Sequence, residues 1–157
     1  MTKGVPMNHH CRMKKIILFA LILILPTISQ ALCVNVKKAN LRSGPSTKKQ
    51  ISWEVFKYMP LQKIKKQGSW YKVKDFEGDF HWVFKTIITS KYKCAVVKAS
   101  KANLRTGPGT KFKKADDLPS VDKYTVFKLS KIKGKWAKVT DSFGDSYWIS
   151  RKLVWIN

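Results

Sequence analysis

Short apolar segments alternate with turn residues along most of this chain. Trp53 to Tyr58 mixes β-forming residues with charge. Leu61 to Lys66 follows, with Leu61 and Ile64 offered to a core. Gln67-Gly68-Ser69 is a turn. Trp70 to Lys74 then alternates, placing Tyr71 and Val73 on the face opposite Trp70, Lys72 and Lys74. Asp75-Phe76-Glu77-Gly78 reads as a hairpin connection, and Phe80 to Phe84 as the strand that closes the unit. No long stretch has helical period. Short strands at regular spacing predict an all-β barrel or sandwich.

The pattern then repeats. Ala39-Asn40-Leu41-Arg42-Ser43-Gly44-Pro45 returns 63 residues later as Ala102-Asn103-Leu104-Arg105-Thr106-Gly107-Pro108. Gly68-Ser69-Trp70 returns 66 residues later as Gly134-Lys135-Trp136, and Gly78-Asp79 with Trp82 as Gly144-Asp145 with Trp148. Three blocks in one order mark a duplication. The change of offset predicts a longer loop in the second copy, near Ala115 to Asp122, and each copy opens with a cysteine. These blocks resemble the bacterial SH3-like domain family, and the chain is similar to exported proteins made of two such domains. The resemblance runs from Cys33 to Asn157. The family usually has Gly-Trp in the last strand, where this chain has His81-Trp82 and Tyr147-Trp148. The expected architecture is two tandem small SH3-like barrels, over residues 32–90 and 91–157.

The N-terminal pattern differs. Lys14 and Lys15 precede an apolar run from Ile16 to Leu25, Pro26 breaks it, and Ser29-Gln30-Ala31 places small residues at a cleavage site. Residues 1–31 therefore read as a secretory signal peptide, with Met13 as the true start and a run too short to span a membrane. Leu32 and Gln30 fit poorly with lipidation of Cys33. The expected location is exported, periplasmic or extracellular, with no membrane span after signal removal.

Charge adds a second feature. The chain has 32 basic and 9 acidic residues, for a net +23. Losing the leader removes Lys3, Arg12, Lys14 and Lys15 and leaves about +19. Such a field draws in polyanions and is screened by salt. Most of these charges are lysines, which favours a general bias over a phosphate-recognition site. Nucleic acid is not expected as a partner of an exported chain.

Few residues carry chemistry. In an oxidising compartment Cys33 and Cys94 are candidates for a disulfide, facing each other if the barrels pack through their first strands. Intermolecular pairing, metal binding and free thiols are the alternatives. His81 is expected to point outward if Trp82 points inward, and Asp75, Glu77 and Asp79 to form a solvated hairpin tip. Arg42 and Arg105 are expected to pair with Asp79 and Asp145, and Trp82 and Trp148 to be structural. No Ser-His-Asp or Cys-His arrangement is legible, so no enzyme activity, cofactor or metal is expected. The resemblance implies a cell-envelope binding module for a cell-wall polymer or peptide such as peptidoglycan. An envelope-protein scaffold is the alternative. Extended ligands lie along aromatic ridges. The candidates are Trp53, Tyr58, Trp70 and Tyr71 in the first unit, and Tyr124, Phe127 and Trp136 in the second.

Overall fold

The computed structural model describes residues 30–157; the choice of initiator and the leader up to residue 29 lie outside the described residues, while its last two residues, Gln30 and Ala31, pair with Lys63 and Gln62. Seven strands build the first unit: β1 (Gln30–Val34), β2 (Lys38–Arg42), β3 (Ile51–Phe56), β4 (Pro60–Gln67), β5 (Trp70–Lys74), β6 (Phe80–Phe84) and β7 (Ile88–Thr89). Seven more repeat them: β8 (Cys94–Val97), β9 (Lys101–Asn103), β10 (Ser120–Asp122), β11 (Val126–Lys133), β12 (Trp136–Thr140), β13 (Ser146–Ser150) and β14 (Val154–Ile156). The only helical turns among the described residues are single 3-10 turns at Lys85–Ile87 and Arg151–Leu153, and no helix there is long and apolar enough to cross a membrane. The chain therefore folds as two tandem SH3-like β units. The first unit pairs in the order β3-β2-β6-β5-β4-β1-β7. The second pairs as β13-β12-β11-β8-β14, with β10-β9 joined to it where Arg105 bridges Trp148.

Local sequence explains the corners. Gly68 and Gly134 sit in two-residue hairpin loops at φ 56° and 55°, where a turn with positive φ at its first central residue takes glycine. Asp75 and Asp141 each accept three backbone N–H bonds on Oδ1, from the second, third and fourth residues that follow. The glycine of the second Gly-Pro pair is needed for room, not for φ. A Cβ on Gly107 would lie 2.2 Å from Cδ1 of Phe112.

Period-two alternation also decides how the units join. Leu32 and Val34 of β1 point into the first core, which leaves Cys33 facing out of it. Ala95 and Val97 of β8 point into the second core, while Val96 packs into the first. Cys94 shares the parity of Val96 and so faces Cys33. The two cysteines form a disulfide, with Cα atoms 6.0 Å apart. Val126 and Trp155 also pack on the first core. Asn157 seals the junction: its side chain donates to the carbonyls of Leu32 and Leu61 and accepts from the Cys94 N–H.

Several expectations are corrected here. Phe127 is 1% exposed in the second core and offers no face to a ligand. Ile64 is exposed: the β4–β5 register shifts between Lys63 and Lys65, so Ile64 has no partner on β5 and turns to solvent. Arg42 and Arg105 do not meet Asp79 and Asp145. Arg42 Nη1 donates to the Lys49 carbonyl at 2.7 Å, and Arg105 Nη1 to those of Thr110 and Phe112 at 3.1 and 2.6 Å. Each arginine ties down its own Gly-Pro loop. The longer loop expected near Ala115 to Asp122 packs on its own barrel through Ala115 and Leu118, and the Tyr147 hydroxyl donates to Asp117 there at 2.5 Å.

Candidate functional site

A groove of about 580 Å³ runs between the first barrel and the β10–β11 turn of the second. Strand β3 supplies Ser52, Trp53 and Glu54; the β5–β6 hairpin supplies Asp75, Glu77 and Asp79; β6 supplies His81. The second barrel contributes Lys123 and Tyr124. Tyr124 stands edge-on to Trp53 at 6.0 Å and to Phe76 at 5.6 Å. Its hydroxyl donates to Glu77, 3.2 and 3.3 Å from the two carboxyl oxygens, and Lys123 Nζ pairs with Glu77 at 2.6 Å. That pairing pushes the Lys123 ammonium pKa above the usual lysine value.

Tyr124 has a φ of 72°, a left-handed conformation that is unusual for a bulky residue. The same is true of Tyr58, at 75°, in the matching turn of the first barrel. In each turn a hydrogen bond closes the loop, Met59 N–H to Phe56 O and Thr125 N–H to Asp122 O, with the tyrosine at the third position. Because both copies share it, this geometry belongs to the fold and not to the groove.

The floor of the groove holds a hydrogen-bonded trio that the sequence did not reveal. Ser52 Oγ lies 2.7 Å from His81 Nδ1, and His81 Nε2 lies 3.2 Å from Asp75 Oδ2. His81 and Asp75 are 7% and 4% exposed. The outward histidine and the solvated carboxyl expected from the sequence are thus both buried. His81 shares the parity of the core residue Val83 and so faces inward, while Trp82 lies on the opposite face between the exposed Phe80 and Phe84, with Lys65 Nζ 5.5 Å from its ring. In the tautomer with a proton on Nε2, His81 donates to Asp75 and accepts the Ser52 hydroxyl, which satisfies the imidazole. A Ser-His-Asp order is also the starting geometry for a hydroxyl nucleophile. Acyl transfer would further need preorganised donors aimed at a developing oxyanion. Three backbone N–H groups in this hairpin instead point at Asp75 Oδ1. Among the described residues no group of three or more His, Cys, Asp or Glu side chains is arranged to hold a metal ion.

The groove brings together two of the aromatic candidates, Trp53 and Tyr124. The others lie apart. Tyr58 packs edge-on to Tyr92 at 5.7 Å, Trp70 packs edge-on to Phe84 at 5.3 Å, and Tyr71 lies half-buried against the first core beneath Lys63. Trp136 lines a separate cavity. Sequence reasoning missed Ser52, Glu54 and Lys123. Glu54 and Ser52 sit on a strand whose pairing partner is unknown from the sequence, and Lys123 is one lysine among many. The strongest available signal was the concentration of acids. Four of the nine acidic residues of this basic chain line one groove.

The profile described as the bacterial SH3 domain matches the chain twice, at residues 35–89 and 98–155. No curated protein sequence matches. Among solved structures, an NlpC/P60 family protein from Bacillus cereus aligns at 14% identity and a TM-score of 0.37, over 81% of this chain and 56% of its own. NlpC2 from Trichomonas vaginalis aligns at 7% identity and 0.34, over 81% and 48%. The CBD of the endolysin LysPBC5 aligns at 16% identity and 0.33, over 85% and 97%. The chain spans about half the length of the first two.

Proposed function

This chain belongs to the bacterial SH3 domain family, and from that premise we propose that it is a non-catalytic binding protein of the cell envelope, whose inter-barrel groove takes an extended peptide bearing a free amine. Peptidoglycan stem peptides are the intended ligand class. One observation carries the reading: Glu54, Glu77 and Asp79 surround Trp53 and Tyr124 on a chain that is otherwise strongly basic, and while Lys38 and Lys123 already pair with Glu54 and Glu77 at 2.7 and 2.6 Å, no ion pair engages Asp79 among the described residues. A cationic amine gains from the carboxylates, and the aliphatic stem of a peptide side chain gains from the aromatic walls. The leader sequence supports export, to the periplasm or beyond, which would bring the groove to the wall. The positive field adds long-range attraction to anionic wall material, and salt screens it.

Co-sedimentation with peptidoglycan sacculi tests this, at low salt and at about 0.5 M, where the Debye length falls to a few ångströms. Binding is expected to survive salt, to fall with Trp53→Ala, and to be lost when the free amines of the sacculi are acetylated. Binding that disappears with salt and ignores both changes would leave only the general charge. A hydrolytic reading draws on Ser52, His81 and Asp75. Labelling of Ser52 by a fluorophosphonate would establish it, and none is expected.

A further inference from the structure

The second barrel has a cavity of its own, also of about 580 Å³, far in character from the acidic groove. Trp136 forms its wall. Register places Trp136 opposite Ser150, as it places Trp70 opposite Phe84 in the first barrel. In the first barrel Phe84 packs edge-on against the indole at 5.3 Å and fills this position. Ser150 removes that ring, and no aromatic ring contacts Trp136 among the described residues. One substitution between the copies has therefore removed the ring that packs on this tryptophan and left its indole lining a cavity, although both indoles stay half-buried.

Charge changes at the same place. Arg105, Lys135, Arg151 and Lys152 line the cavity. Their counterparts in the first barrel are Arg42, Ser69, Lys85 and Thr86, so two cations have been added, and one lysine has become arginine. No lining residue is acidic. The guanidinium groups are held in position. Arg105 Nη1 donates to the carbonyls of Thr110 and Phe112, and Arg151 Nη1 donates to that of Gly134 at 3.1 Å. Each retains further N–H donors in a fixed plane, the arrangement that suits a carboxylate or phosphate.

We propose that this pocket binds an acidic saccharide, one sugar ring against Trp136 and its carboxylate or phosphate on Arg105 and Arg151. The C–H face of a pyranose is apolar and complements the electron-rich indole face. Asn103 and Ser150 supply neutral groups for sugar hydroxyls. A single-stranded nucleic acid would need successive aromatic platforms along a basic groove, and this cavity has one. The site is independent of the acidic groove and does not depend on the function proposed for it.

Calorimetric titration of the full chain at about 0.15 M salt tests the proposal, under conditions that screen distant charges. The probes are an oligogalacturonate, glucose 6-phosphate, neutral maltotriose and a short oligothymidylate. At least one acidic sugar is expected to bind, and maltotriose to bind at least about tenfold more weakly, the scale of one charge-assisted hydrogen bond. Ser150→Phe, which restores the ring of the first barrel, and Arg151→Ala are each expected to weaken binding by about the same factor. Trp53→Ala, in the other groove, is expected to leave it unchanged. Undiminished binding in both Ser150→Phe and Arg151→Ala would overturn the assignment. So would equal affinity for maltotriose, tighter binding of the oligothymidylate, or no binding of either acidic sugar.

Discussion

The two barrels repeat one strand plan and have diverged on opposite sides of it. In the first, Ser52, His81 and Asp75 form a polar floor beneath an acidic groove, while Phe84 closes the face over Trp70. In the second, Leu118 and Tyr147 stand where Ser52 and His81 would be, Pro119 replaces Trp53, and Ser150 opens the face over Trp136. Leu41 and Leu104, Val73 and Val139, and Val83 and Ile149 are fully buried in both copies. Packed interiors tolerate little change of volume, while rims do. Duplication followed by drift is therefore expected to keep the cores and to separate the surfaces. It has left one acidic and one basic recess on a single molecule.

The largest test of the comparison is to uncouple the barrels. Cys33→Ser with Cys94→Ser removes a bridge across a sequence separation of 61 residues. In the chain-entropy account this costs about 4 kcal/mol. Guanidinium unfolding is expected to shift to lower denaturant and to split into two transitions; a single unshifted transition would mean that the packing of Val96, Val126 and Trp155 alone joins the units. Next in size, Phe127→Ala should cost about 3–5 kcal/mol, as for other buried aromatics, and should lower the melting temperature without weakening sacculus binding by the folded protein. A selective loss of binding by folded protein would return Phe127 to the ligand site.

Phe84→Ser makes the first barrel imitate the second. Losing the aromatic pair is expected to cost about 1 kcal/mol beyond the lost burial, and to shift the emission of Trp70 to the red as water reaches it. No acidic-sugar affinity should appear there, because Ser69 and Thr86 lack the added cations. The smallest effect expected is in Tyr147→Phe. The Tyr147 hydroxyl holds the Asp117 carboxyl below its ordinary range, and the same bond pushes the phenol above its own. The carboxyl contributes stability above its unfolded value of 3.8 and loses it as pH falls through the depressed folded value. The phenol contributes below its unfolded value of 10.0 and loses it as pH rises through the elevated folded one. Tyr147→Phe should therefore lower the melting temperature modestly between those values, and the difference should vanish in acid. A difference that persists in acid would point to lost packing instead of the hydrogen bond.

The sequence by itself determined the duplication, the strands and the turns, because these rest on local rules: period-two alternation, glycine where φ is positive, and aspartate capping a hairpin. It also singled out the cysteines as candidates for a bridge. The bridge was decided by parity. Cys33 lies opposite Pro60 and Cys94 opposite Lys128, so the two are not equivalent positions of the repeat, although each opens a copy. The sites depended on tertiary structure for a related reason. Ser52 and His81 are 29 residues apart, Glu77 and Tyr124 are 47 apart, and Trp136 gains its meaning from a missing ring at Ser150. Which strands become neighbours, and which barrel leans on which, is settled by burying both cores together. Only that arrangement turned Asp75, read as solvated, into the floor of a groove while Glu77 and Asp79 stay exposed beside it, and an aromatic read as a ligand contact into core.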